Sequence, residues 1–485
     1  MGGIRFYSTN NRSERVGFER ALMNGLASGY GLYMISREEL PRLDSAGIRA
    51  MGGMSYAEIA FEVLYPFLKN EVAGEDLREM LLDAYDERVI PTRAQHITGR
   101  SHILWLTRGP TYSFKDYAAR FFGRILNYFL NRSRLRRVVA VATSGDTGGA
   151  VADALHGLER IDNLVFFPKD SITERQRRQM TTLGGNVHAF EVNGDFDVCQ
   201  ALAKRLLGDK TFAQELFNDP DRITSANSIS VGRLLPQAVY PFFAYSRIAS
   251  YDEPMIVSVP SGNFGDMMGT VMAREMGLPI SKIVCGVNEN DEFPLFLETG
   301  EYIVKPSKKS PSSAMIVSNP SNFARLIDMY GGHVTDVRDG SGNVIREGVI
   351  DSAPDLEAMR RDFYSISVSN PDHYLAMREV YDRFGIIMEP HGAVGWRALD
   401  TYLEQRHGRL AVIYETADPG KFPRDVEKAI GLTPPVPERI AEQAELEERV
   451  YSVGDPPHIK DDGSVVLSES QYRRAKEIIK EIFAG

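Results

Sequence analysis

The chain has 485 residues, 56 Lys and Arg against 66 Asp and Glu for a net charge of −10, with 43% apolar and 25% charged residues. That length predicts several structural units, and the acidic balance argues against a nucleic-acid partner, because phosphate contacts need clustered cations. Two cysteines, Cys199 and Cys285, exclude a disulfide framework and a Cys-rich zinc site, so no metal is expected and a reducing, cytoplasmic compartment fits; no apolar run reaches bilayer length, so no membrane partner is expected.

Residues 1–95 read as a helical N-terminal domain, with Phe18, Ala21, Leu22, Leu26 and then Ile59, Val63, Leu64, Phe67 at helical spacing. From about residue 102 the texture changes to short β-branched runs alternating with amphipathic helices. The runs are His102–Leu106, Val138–Thr143, Leu164–Phe167, Val187–Val192, Met255–Val259, Lys282–Val287, Gly385–Met388 and Leu410–Tyr414. Such alternation predicts an α/β fold with parallel sheets. Pro254 marks a lobe boundary, giving lobes at 96–253 and 254–433, and the Pro- and Glu-rich text from 434 to 485 is a C-terminal extension closed by a helix over Glu469–Phe483. In parallel sheets ligands gather at the carboxyl ends of strands, so the chemistry is sought there.

The first such end is Arg108-Gly109-Pro110-Thr111-Tyr112-Ser113-Phe114-Lys115-Asp116, leading into a helix whose apolar stripe runs from Phe114 to Leu130. Ser113 reads as its N-cap. Lys115 lies in the first turn, where the helix dipole disfavours a cation, and aromatic neighbours add desolvation; both favour the neutral amine that condenses with carbonyls. A snorkelling surface lysine is the bland alternative.

Thr143-Ser144-Gly145-Asp146-Thr147-Gly148-Gly149 and Pro260-Ser261-Gly262-Asn263-Phe264-Gly265-Asp266 each join a strand to a helix, and their glycines and hydroxyls make anion cradles. Neither is a P-loop or a GxGxxG fingerprint. Thr224–Ser230 is rich in hydroxyls and amides and leads to Arg233. Met388–Val394 contains His391, which reads as a structural histidine before a catalyst. Thr416, after the last strand, can place a neutral hydroxyl in a cleft. Together these ends ask for an aldehyde that bonds Lys, carries a phosphate and works on a carboxylate-bearing substrate, a set that pyridoxal 5'-phosphate acting on an amino acid satisfies.

The segments GPTYSFKD (109–116), TSGDTGGAVA (143–152), TLGGN (182–186), GDFDVCQAL (194–202), SANSISVGRLLPQ (225–237), SVPSGNFGD (258–266) and EPHGAVGWRAL (389–399), in this order, resemble the threonine synthase family of pyridoxal-phosphate enzymes. The resemblance implies two three-layer α/β/α lobes with the cofactor between them, after the helical N-terminal domain. It implies Lys115 as the Schiff-base lysine, Gly262, Asn263, Phe264 and Asp266 around the cofactor phosphate, and Thr416 at the pyridine nitrogen. Ser144, Asp146 and Thr147 would take the substrate carboxylate, with Asn227, Ser228 and Arg233 as further substrate-binding candidates. The reaction implied is O-phosphohomoserine and water to threonine and phosphate, by a monomer or homodimer; a phospho-lyase paralogue that releases a keto acid is the alternative. A neutral Thr416 should leave the pyridine nitrogen largely unprotonated. Asp418 stands where the family often has His, so it either points away from the substrate phosphate or changes its handling, and Arg233, Arg108, Lys421 and Lys308 are the candidate cations for that phosphate.

Overall fold

A computed structural model describes residues 3–250, 252–339, 344–459 and 465–484. The chain forms two compact units, one of residues 1–21, 26–118 and 228–435, the other of 22–25, 119–227 and 436–485.

The larger unit is built on a six-stranded sheet. Its strands, in spatial order, are Phe363–Ser367, Ile280–Val287, Met255–Pro260, Leu410–Glu415, Ser101–Trp105 and Arg93–Thr98. All pairs are parallel except the last, which is an antiparallel edge. The central strands MIVSVP and LAVIYE are buried along their whole length, as expected of parallel strands covered on both faces. Side chains alternate across them. Ala411 and Ile413 pack with Ile103, Ile256, Val284, Trp396 and Leu399 in a core under the helix Pro390–Leu403. Tyr414 faces the other way, where its hydroxyl meets Thr270 Oγ1 at 3.1 Å, on the helix Gly265–Glu275. Helix, sheet and helix thus form three layers.

The smaller unit holds a five-stranded parallel sheet in the order Val450–Val453, Val187–Val192, Ile161–Pro168, Arg137–Ala142, Ile223–Ser225. Val138, Ala140, Leu164, Phe166, Phe190 and Val192 pack there with Leu202 and Leu206, and with Tyr472, Ile478 and Ile479 of the last helix, Glu469–Ala484. The C-terminal extension is therefore part of this core rather than an appendage.

Three expectations need correction. The N-terminal stretch carries a three-stranded antiparallel sheet, Asn11–Val16, Phe6–Ser8 and Tyr33–Met34, besides its helices. The strand NRSERV is largely solvent-exposed and carries no apolar alternation to betray it. The run 385–388 is not a strand: Gly385, at φ 65°, is the left-handed cap that ends the helix Asn370–Phe384. The strand on that side of the sheet is Phe363–Ser367, which follows the helix Leu356–Asp362 with no intervening residue. Finally, Ser113 does not cap its helix: its Oγ is buried and has no hydrogen-bond partner.

Candidate active site

Lys115 opens the helix Lys115–Ser133, and the segment before it is tied to the end of the strand Leu410–Glu415. Phe114 N donates to Thr416 O at 2.8 Å, Asp418 N to Tyr112 O at 3.0 Å, and Ser113 bridges Ala417. Two strand ends are thereby fixed side by side, Lys115 on one and Thr416 on the other. Asp116 folds back on the turn, taking Thr111 N at 2.9 Å and Thr111 Oγ1 at 2.5 Å. Gly109 makes room for it, since a Cβ there would collide with the Asp116 carboxylate. The Lys115 side chain is half-buried, its Nζ 4.5 Å from the Phe114 ring centroid.

The turn 261–266 belongs to the same unit as Lys115 and Thr416. Phe264 takes the left-handed conformation, φ 60°, as the N-cap of the helix Gly265–Glu275. A Cβ on Gly262 would meet Met315 Cα at 2.8 Å and Ala314 O at 2.9 Å, both backbone atoms. The turn thus passes close under another segment, and the opening N–H groups of its helix have no carbonyl of their own to bond. Asp266 is buried and accepts from Ser261 Oγ and from Met267 N at 2.9 Å. Burial pushes its carboxyl above the usual range, against those hydrogen bonds and the nearby charge of Lys115.

Thr416, Glu415 and Glu389 form a buried cluster at the strand end. Glu389, the N-cap of the helix Pro390–Leu403, accepts at Oε2 from His391 N at 2.7 Å and His391 Nδ1 at 2.5 Å. Its Oε1 accepts from Gly392 N at 2.9 Å and from Thr416 Oγ1 at 3.5 Å. His391 Nε2 in turn accepts from Ala314 N at 3.0 Å. Glu415 Oε1 accepts from Glu389 N at 3.2 Å, while Oε2 has no partner. Burial, then the charge of Glu389, raises the Glu415 carboxyl well above its ordinary range. Glu389 and Glu415 carried no sequence signal as a pair, because 26 residues separate them and only the fold brings them together.

Asp418 turns back on its own segment: Oδ1 accepts from Gly420 N at 2.8 Å, capping the short helix Pro419–Lys421. Lys421 is buried and donates from Nζ to Thr111 O at 2.8 Å. Arg233 is 3% exposed, and burial lowers its guanidinium to about 10. Arg108 and Lys308 are exposed. The backbone of Ser228 is held by Arg325, whose Nη1 donates to Ser228 O at 3.0 Å.

Ser144, Asp146, Thr147 and Asn227 lie in the smaller unit. Thr143 Oγ1 accepts from Gly145 N at 2.9 Å and Gly148 N at 2.8 Å, shaping the turn before the helix Asp146–Leu155. Gly145 has φ 129°, which disfavours any side chain, and the Asp146 carboxylate takes Gln176 Nε2 at 3.0 Å. Asn227 clips the strand end with both amide atoms, Oδ1 to Ala142 N at 3.1 Å and Nδ2 to Ala142 O at 2.7 Å. Ser144 and Thr147 are half-buried. Among the described residues no group of His, Cys, Asp and Glu could hold a metal ion, and no helix is long and apolar enough to cross a membrane.

Comparison with known proteins gives this geometry a family. Residues 5–85 match the family described as threonine synthase N terminus, 99–343 that of pyridoxal-phosphate dependent enzymes, and 392–461 threonine synthase, C-terminal. A threonine synthase of Pseudomonas aeruginosa is 35% identical over 92% of this chain and 95% of its own, and one of Schizosaccharomyces pombe 33% identical over 88% and 89%. The crystal structure of PLP-bound threonine synthase from Brucella melitensis superposes with a TM-score of 0.85 at 29% identity, covering 100% of both chains. With matches of this extent along its whole length, the chain belongs to the threonine synthase family of pyridoxal-phosphate-dependent enzymes.

Proposed function

We propose that the protein converts O-phosphohomoserine and water to L-threonine and phosphate, with pyridoxal 5'-phosphate bound at Lys115. The observation that carries this reading is the tie between the Lys115 and Thr416 segments, Phe114 N to Thr416 O at 2.8 Å, in the same unit as the 261–266 turn. The residues fit the group. Lys115 would hold the aldehyde carbon, Gly262, Asn263, Phe264 and Asp266 would surround the phosphate, and Thr416 would meet the ring nitrogen. The close backbone approach that Gly262 permits, and the position of the turn at the N-terminus of the helix Gly265–Glu275, support the phosphate role.

When bound, the cofactor supplies an electron sink that acidifies the substrate's Cα and Cβ hydrogens. The Lys115 amine, when not bonded to the cofactor, would take protons from Cα and Cβ and return protons at Cγ, from which phosphate leaves, and at Cα, while water adds at Cβ. Ser144, Asp146 and Thr147, on a turn whose N–H groups are ordered by Thr143, would bind the substrate carboxylate, and Asn227 and Ser228 are further substrate-binding candidates. Arg233, already carrying the cost of burial, is the residue we assign to the substrate phosphate, because an anion would offset that cost. Asp418, spent on capping Gly420, does not compete for that role.

The test is product identification. Incubation with O-phosphohomoserine should release threonine and phosphate in equal amounts, and Lys115→Ala should abolish both, together with the borohydride-trapped adduct on that residue. Phosphate with 2-oxobutyrate and no threonine would refute the assignment in favour of a phospho-lyase.

A further inference from the structure

Arg325 is fully buried on the helix Phe323–Met329. Its Nε donates to Tyr33 O at 3.0 Å, Nη1 to Ser228 O at 3.0 Å and to Asn322 Oδ1 at 2.6 Å, and Nη2 to Ile229 O at 2.6 Å. Among the described residues, every group that accepts from it is neutral. Burial without an opposing charge lowers the guanidinium to about 9, and the four hydrogen bonds are what holds the charge there. A rigid planar fork can meet carbonyls of separate segments at once, where a lysine offers a single point charge.

Two of those carbonyls, of Ser228 and Ile229, are consecutive. Directly beyond them Arg233 N donates to Ser230 O at 3.1 Å, opening the short helix Val231–Leu234. Holding 228 and 229 therefore sets where the helix that carries Arg233 begins. Asn322, the residue before the Arg325 helix, serves a different segment. Its Nδ2 donates to Asn263 O at 2.9 Å and its backbone N to the same oxygen at 3.3 Å, while Ser321 N donates to Asn263 Oδ1 at 3.3 Å. Asn322 Nδ2 also reaches Ser228 O, at 3.5 Å, too long to replace Arg325 there. All of these residues belong to the larger unit.

We propose that Arg325 is a positioning residue for the substrate: by holding the Ser228 and Ile229 carbonyls it sets the place of Ser228 and Arg233, while Asn322 separately steadies the turn assigned to the cofactor phosphate. This rests on the proposed function, which gives Ser228 and Arg233 to the substrate and Asn263 to the cofactor.

The test uses the full-length enzyme loaded with pyridoxal 5'-phosphate. Arg325→Met keeps much of the side chain's length and removes every donor. It should raise KM for O-phosphohomoserine about tenfold or more, with the same amount of cofactor trapped on Lys115 by borohydride. L-Threonine lacks the phosphate that Arg233 would meet, so its Kd, read by absorbance titration, should change less than about threefold. Equal losses for the two amino acids, or loss of the cofactor along with them, are what a merely structural arginine gives and would overturn the inference; so would an unchanged KM. Asn322→Ala decides the matter even if Arg325→Met does not fold. It should weaken cofactor retention in equilibrium dialysis and leave KM unchanged at saturating cofactor, because the three carbonyl bonds of Arg325 remain. A raised KM or undiminished retention in that variant overturns the division between the two side chains, and the inference with it. Each of these results leaves the proposed function standing, whereas a wild type that traps no cofactor on Lys115 or forms no threonine overturns both.

Discussion

At the scale of single residues, contacts separate positions that merely tolerate a glycine from those that need one. Gly262 has an ordinary backbone conformation, so only space constrains it, and that space is bounded by the backbone of Ala314 and Met315. Gly262→Ala should force those segments apart at about 1–3 kcal/mol. We expect a lower Tm and weaker pyridoxal-phosphate retention, read by equilibrium dialysis; unchanged retention would show that the turn does not meet the phosphate. Glu292, 5% exposed and lining a small cavity with Ser261, Gly262, Phe264 and Tyr302, has its carboxyl pushed up to about 7, chiefly by burial. The folded chain thus binds this proton more tightly than the unfolded chain does. Its contribution to stability is full below about pH 4.5 and is lost as pH rises through about 7. Glu292→Gln should flatten that decline, by on the order of 3 kcal/mol across the window, measured by urea unfolding at several pH values. A parallel decline in both proteins would contradict it. Lys115 and the 262–266 turn were legible in sequence because each lies within one short motif. The Glu389–Glu415 contact was not, since it depends on a helix start meeting a strand end.

At the scale of elements, continuous apolar runs such as VVAVA and LAVIY announced the buried parallel strands, because a strand covered on both faces needs no polar alternation. Strands without a continuous apolar run escaped notice: Asn11–Val16 is largely exposed, and the edge strand Phe363–Ser367 is mostly half-buried. The Ile386-Ile387 pair, with a strand's composition, sits instead in a connection that starts with the cap Gly385. The terminal helix Glu469–Ala484 was visible by its period, though not what it covers. Ile479, fully buried against the five-stranded sheet, makes that packing testable. Ile479→Ala should cost about 2–5 kcal/mol, with faster hydrogen exchange in the strand Val187–Val192. A loss under about 1 kcal/mol, or exchange unchanged in that strand, would mean that the helix lies loosely on the sheet.

At the scale of the whole chain, the α/β class followed from the alternation of strands and helices. The linear succession of segments did not convey how the chain is shared out. Residues 119–227 and 436–485 make one unit, while the N-terminal stretch joins 228–435 in the other. Composition shifts mark where the text changes, whereas membership in a unit is decided by which apolar faces meet, and Val453 and Ile479 meet strands that lie far upstream.

The pairing of Val450–Val453 with Val187–Val192 has a consequence for biosynthesis. On the ribosome, the earlier strand emerges roughly 260 residues before its neighbour, on the order of 10–50 s at about 5–20 residues per second. Throughout that interval the nascent polypeptide presents an open β-edge. Chaperone occupancy during translation should therefore peak after residue 192 has left the exit tunnel and subside only once the final helix is released.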